Sequence, residues 1–138
     1  MINYKWVKPP LSKYKKLLEI IGWSSIISIT DEKLRLAIDS SWGWVSAFDN
    51  DRLIGIGRLI SDGALYALVC DMIVHPEYQK RGIGSSILNM LKDKCVEHDI
   101  QRVWLFSAKG QIDFYLHNGF EVRPHDAPGM QMALFNKD

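Results

Sequence analysis

The sequence predicts an α/β chain built around a mixed sheet, and three observations carry that expectation. Residues 64–74 form a nearly continuous apolar run, broken only by Asp71, which fits a central strand covered on both faces. Two earlier β-forming runs flank Asp49-Asn50-Asp51 and read as a hairpin, which argues against a purely parallel, doubly wound sheet. Apolar residues at helical spacing alternate with these runs, giving the order β-α-α-β-β-β-α-β-α-β-β.

Each element has a local reason. Residues 2–7, with Tyr4 and Trp6, alternate as a first strand that Pro9-Pro10 stops. Leu11, Tyr14, Leu17, Leu18 and Ile21 then recur at helical spacing, with Gly22 as the stop. Lys13, Lys15 and Lys16 form the opposite face, which reads as solvated. Thr30 supplies a hydroxyl cap and Asp31-Glu32 an acidic first turn for a second helix running to about Ser41. Residues 44–48 and 52–60 are the hairpin strands. From Gly84 onward, Ile87, Leu88, Leu91 and Cys95 make a buried stripe, while Lys92, Asp93 and Lys94 face out. A short strand is expected at 102–106, a short helix at 111–118 closed by Gly119, and further strands at 120–122 and 130–135 around a loop at 124–129. The hydrophobic last strand could pair with a second subunit and give a homodimer.

The chain has 138 residues, an appropriate length for one domain spanning 1–138. Seventeen Lys and Arg against 16 Asp and Glu leave a formal charge of +1. That balance offers no bulk attraction for nucleic acid or an anionic membrane, so neither is expected as a partner. The first ten residues contain no signal-peptide core, and no run approaches the ~18 apolar residues of a membrane span. Cys70 and Cys95 sit in apolar segments and read as buried, reduced thiols, so the expected compartment is cytoplasmic. His75, His98, His117 and His125 show no ligand-spaced pair, so no metal is expected.

The sharpest feature is Val74-His75-Pro76-Glu77-Tyr78-Gln79-Lys80-Arg81-Gly82-Ile83-Gly84-Ser85. A buried strand ends there, a polar turn with two glycines follows, and an amphipathic helix begins. Glycines let backbone approach a ligand closely, and the N–H groups at a helix start point outward at its positive end. The same residues also fit a tight strand-to-helix turn that needs glycine for geometry alone. A Walker A loop is excluded because no Lys-Ser/Thr follows the glycine, and a dinucleotide fingerprint is excluded because Ile87 occupies the third glycine position.

Gln79, Gly82 and Gly84 fill the pattern Gln/Arg-x-x-Gly-x-Gly/Ala. About 30 residues downstream lies Phe114-Tyr115-Leu116-His117-Asn118-Gly119-Phe120. Together these resemble the acyl-CoA motif and the late Phe-Tyr-x-x-x-Gly-Phe signature of the GNAT superfamily of N-acetyltransferases. The resemblance implies a mostly antiparallel central sheet with splayed central strands and helices on both faces. It implies that Gln79, Lys80, Arg81, Gly82, Ile83, Gly84 and Ser85 bind acetyl-CoA, the backbone N–H groups from Arg81 to Ser85 holding its pyrophosphate. Met72, Ile73 and Val74 would pair with the pantetheine arm as with an added strand. Tyr115 would protonate the leaving thiolate. Ser107 occupies the stretch where the family often has asparagine, and would take over its contact to that arm.

The implied reaction moves an acetyl group from acetyl-CoA to a primary amine, by direct attack in a ternary complex and without a metal. An amine of pKa about 10.4 is neutral in only about one molecule in 2,500 at pH 7, so a carboxylate that accepts its proton helps. Asp71, the sole charge in the apolar run, is the candidate base; a structural carboxylate satisfied by the backbone or by Arg58 is the competing reading. Trp23 could wall the acceptor site or fill the core. His75 reads as a turn residue ahead of a second base. The acceptor is expected to be a small molecule. A protein or peptide N-acetyltransferase, and an acyl-CoA-sensing module without turnover, are the alternatives.

Overall fold

The computed structural model describes residues 1–23 and 28–134. It forms two compact units, residues 1–105 and the residues from 106 on.

The first unit is a five-stranded sheet with strands in sequence order. β1 (Ile2–Lys5), β2 (Gly43–Asp49), β3 (Arg52–Ser61) and β4 (Tyr66–Val74) pair antiparallel, and β5 (Arg102–Leu105) joins β4 in parallel. Between β1 and β2 lie α1 (Leu11–Ile21) and α2 (Asp31–Ser40). Gly22 ends α1 in the left-handed conformation at φ 82°, its N–H donating to carbonyls of the last turn. Thr30 caps α2 by accepting from the Lys33 N–H at 3.3 Å. Asn50, at φ 55°, turns the hairpin between β2 and β3.

The sheet is covered on both faces. On one, Tyr14, Leu17 and Leu18 of α1 and Leu34 and Ile38 of α2 pack with Trp44, Leu53, Ile56 and Ile73 into a buried cluster. On the other lies α3 (Ile83–Glu97), whose Ile83, Ile87, Leu88, Leu91 and Cys95 are buried. Gly57 lets α3 come this close: a Cβ there would lie 2.7 Å from Ile87 Cγ2 and 2.8 Å from Leu91 Cδ1. At the far end of α3 the Lys94 ammonium lies over the rings of Trp6 and Trp42, at 4.8 and 5.0 Å from their centroids. Cys95 is buried and Cys70 half-buried; both are free thiols. No helix among the described residues is long and apolar enough to cross a membrane.

The second unit contains α4 (Ile112–His117) and an irregular chain after it. The strands expected at 120–122 and 130–135 do not form: residues 120–134 contain no strand, and Phe135 lies outside the described residues. The reason is pairing. A strand exists only through its ladder, and among the described residues neither segment has one; the bonds nearby are local, the Phe120 N–H to the Tyr115 carbonyl and, in the loop between the two segments, the Ala127 N–H to the Pro124 carbonyl and the Arg123 Nε to the Ala127 carbonyl. Met130, Met132 and Leu134 keep the period-2 spacing of a strand face but are exposed. The edge expected to meet a second subunit is therefore not formed in residues 130–134.

Candidate active site

The site begins where the β4–β5 ladder stops. The two strands pair only from Tyr66↔Arg102 to Val69↔Leu105, yet β4 continues to Val74. Among the described residues, 70, 73 and 74 thus pair on the β3 side alone and 71 and 72 on neither, so the β4–β5 ladder ends where the family resemblance implied that the central strands splay. Within this stretch the register against β3 slips between Ile56 and Arg58, and Asp71 takes φ 50°. That bulge re-aims the side chains of Asp71 and Met72.

Asp71 points toward α1. The buried Tyr14 donates its hydroxyl to Asp71 Oδ2 at 2.9 Å, and Arg58 Nε lies 3.6 Å from the same oxygen. The Asp71 side chain is 10% exposed, too enclosed for an ionised carboxylate without such partners. Arg58 also lies over Trp44, 5.4 Å from the ring centroid, and Trp44 is fixed by donating Nε1 to the Ile38 carbonyl. Burial, followed by the Asp71 charge, pushes the Tyr14 phenol far above its ordinary range, so Tyr14 acts here as a donor. Both contacts use Oδ2. Both readings of Asp71 therefore meet in one place: the carboxylate is anchored by Arg58 and Tyr14 through one oxygen, and the other carries no bond to the described residues.

Beyond Val74 the chain makes a single 3-10 turn, Pro76–Tyr78, capped by the His75 side chain. His75 is thus a turn residue, and a buried one. The Gln79 amide donates to the Val74 carbonyl at 3.0 Å and closes the loop. Lys80 and Gly82 follow at φ 64° and 78°, and α3 starts at Ile83 with no side-chain cap from Gly82. A helix start without a side-chain cap is an arrangement suited to an anion. Tyr78 donates its hydroxyl to Asp49, and its ring lies 5.1 Å from the Arg81 guanidinium. Arg81 is therefore held beside the glycine turn.

Ser107 and Tyr115 belong to the second unit. The Ser107 hydroxyl donates to the Ala108 carbonyl at 2.9 Å. Tyr115 sits on α4 with Phe114 and Phe120 edge-on to its ring, and burial raises its phenol above the ordinary range. Trp23 is partly buried against the cluster beneath α1. In the first unit one strand-turn-helix sequence brings together Asp71, Met72, Ile73, Val74 and Gln79 to Ser85. Sequence reasoning missed Tyr14, whose position in the apolar stripe of α1 hid its hydroxyl. The available signal was pairwise: a buried phenol needs an acceptor, and a lone acid in an apolar strand needs a donor.

β4 thus outruns its neighbour and leads into a helix that a glycine begins. The model of the acetyltransferase (GNAT) family matches residues 14–120, and the chain belongs to that family. It is 30% identical over 124 residues to an uncharacterized N-acetyltransferase ycf52 of Gracilaria tenuistipitata, covering 87% of this chain and 66% of that protein. It is 31% identical over 125 residues to the histone acetyltransferase TAP1 of Glycine max, covering 91% of this chain and 50% of TAP1. The chain thus spans about two thirds or less of these curated relatives. Among solved structures, a probable acetyltransferase of unknown function from meticillin-resistant Staphylococcus aureus superposes with a TM-score of 0.83 at 25% identity, covering 96% of this chain and 99% of that one.

Proposed function

We propose that the chain transfers the acetyl group of acetyl-CoA to a primary amine of a small molecule, by direct attack without a covalent enzyme intermediate. The observation that carries this is the open side of β4 at residues 70–74, which runs into the uncapped start of α3. Amides of a pantetheine arm can pair with that strand while backbone N–H groups from Arg81 to Ser85 take the pyrophosphate. Asp71 receives the proton of the incoming ammonium on the oxygen that Tyr14 and Arg58 leave open. A backbone N–H of Met72, Ile73 or Val74 stabilises the oxyanion. The amine nitrogen bonds to the carbonyl carbon, the bond from that carbon to sulfur breaks, Tyr115 donates its proton to the leaving thiolate, and the proton shed by the new amide nitrogen restores the phenol.

Release of free CoA thiol from acetyl-CoA across a panel of primary amines tests the reading. Amine-dependent release is expected, and tight acetyl-CoA binding without release by any amine favours a sensing module instead. Tyr115→Phe should lower kcat far more than affinity for acetyl-CoA; unchanged kcat removes Tyr115 as the acid. A second reading, a protein acceptor, draws support from the likeness to TAP1, named a histone acetyltransferase. Histone-tail peptides in the same panel separate the two, because preference for peptides over every small amine selects the second.

A further inference from the structure

A second anion-seeking site lies between α1 and the ends of β3 and β4. It is a cleft of about 160 Å³ whose polar lining includes Lys13, Lys16, Asp51, Arg52 and His75, above an apolar floor that includes Leu17 and Leu53. That volume is roughly five water molecules at about 30 Å³ each, enough for a compact oxyanion with little of its hydration.

The decisive residue is His75, only 4% exposed. Its Nδ1 accepts from the Glu77 N–H at 3.1 Å, and its Nε2 lies 3.0 Å from Arg52 Nη2. A neutral imidazole has one lone pair for accepting and one N–H. With the lone pair of Nδ1 engaged the proton sits on Nε2 and faces an obligate donor; in the other tautomer Nε2 accepts from Arg52 and the Glu77 N–H faces Nδ1–H, so either way one donor lacks its acceptor. Protonating the ring does not resolve the conflict, because burial and the Arg52 charge both oppose it. What resolves it is an acceptor that both the Nε2–H and the guanidinium can address.

The surroundings match that need. Lys13 and Lys16, one helical turn apart on α1, face the cleft from the other wall. Lys13 donates to the Asp51 carbonyl, and Lys16 has no ion-pair partner among the described residues. Arg52 is shared with Glu77 at 3.2 Å, and Asp51 is the one acid in the wall.

We infer that this cleft binds a compact oxyanion, the phosphate or carboxylate group of a small molecule, between the His75 Nε2–H, Arg52 and Lys16. The inference does not depend on the acetyltransferase reading.

The test is a titration of the full chain with inorganic phosphate, and separately with acetate, at constant ionic strength. The readout is the His75 imidazole nitrogen resonances. Saturable movement of Nε2 is expected with at least one of the two, and the tighter binder names the preferred group. Lys16→Gln should weaken binding about two- to fivefold, the usual range for one exposed charge pair, and Arg52→Gln should abolish it. Because Lys16 is exposed on a helix face, its variant keeps the test valid if Arg52→Gln does not fold. Three results overturn the inference: no saturable shift with either anion, a shift that Lys16→Gln leaves unchanged, or one that Arg81→Gln removes instead. A fourth concerns the 3′-phosphate of CoA. If Lys16→Gln erases a preference for CoA over dephospho-CoA, the cleft is an arm of the cofactor site and not a separate one.

Discussion

At the scale of single residues, the bond between Tyr14 and Asp71 joins stability to chemistry. The phenol is raised in the folded state, so above its unfolded pKa of about 10 the native state holds a proton the unfolded state has released. Stability from this group is complete below about pH 10 and falls as pH rises further. Midpoints of urea unfolding between pH 9 and 11 should decline in the parent chain and decline less in Tyr14→Phe. At neutral pH the same variant should lose about 1.5–3 kcal/mol, the usual worth of a hydrogen bond to a charged group. Asp71→Asn keeps the shape but cannot take a proton, and should lower turnover about 10²- to 10⁴-fold with little change in acetyl-CoA affinity. An Asn variant that turns over normally makes Asp71 structural. The acid was legible because it interrupts an apolar run. Of its two anchors Arg58 was named from the sequence; Tyr14 was not, because it lies 57 positions away and no local pattern links the two.

At the scale of elements, legibility followed the range of the forces. Gly22, Thr30 and the Asn50 turn act within a few residues, and the elements they bound agree closely with the spacing. Residues 120–122 and 130–134 carry strand-like patterns but no ladder, and alternation alone does not supply hydrogen bonds. The close seat of α3 on the sheet was equally hidden, because Gly57 matters only through Ile87, Leu91 and Met72, whose side chains a Cβ would meet within 3 Å. Gly57→Ala should destabilise by about 1–3 kcal/mol, the range for overpacking a filled core. Thr30→Ala should cost about 1 kcal/mol by removing the α2 cap. Thermal melts check both, and an unshifted Gly57→Ala midpoint shows that the neighbouring side chains yield.

At the scale of the whole molecule, a nearly neutral chain carries local anion-seeking regions that net charge cannot reveal. Arg81 is stacked on Tyr78 beside the uncapped start of α3, while Lys13, Lys16 and Arg52 gather about His75. Their charge is balanced by acids elsewhere, so +1 overall describes neither place. The family was legible from two short motifs because each is a local pattern, Gln79-x-x-Gly82-x-Gly84 and Phe114 to Phe120, with a fixed separation between them. The acceptor was not, because it is set by whichever side chains line the amine side, and these follow no fixed spacing. If the turn at Gln79–Ser85 seats the phosphate groups as proposed, isothermal titration with acetyl-CoA should show affinity falling as salt rises; a salt-independent affinity would remove that turn as their seat.

The one-sided pairing of β4 also sets a clock for its amides. Past the bulge at Asp71 and Met72, the N–H groups of Ile73 and Val74 turn one toward β3 and the other toward the side without a ladder. The first should exchange with deuterium slowly and the second quickly, though both belong to one strand in the middle of a sheet. Acetyl-CoA should slow the fast amide and leave the slow one as it was, so the interval between the two rates closes as the strand gains its missing neighbour.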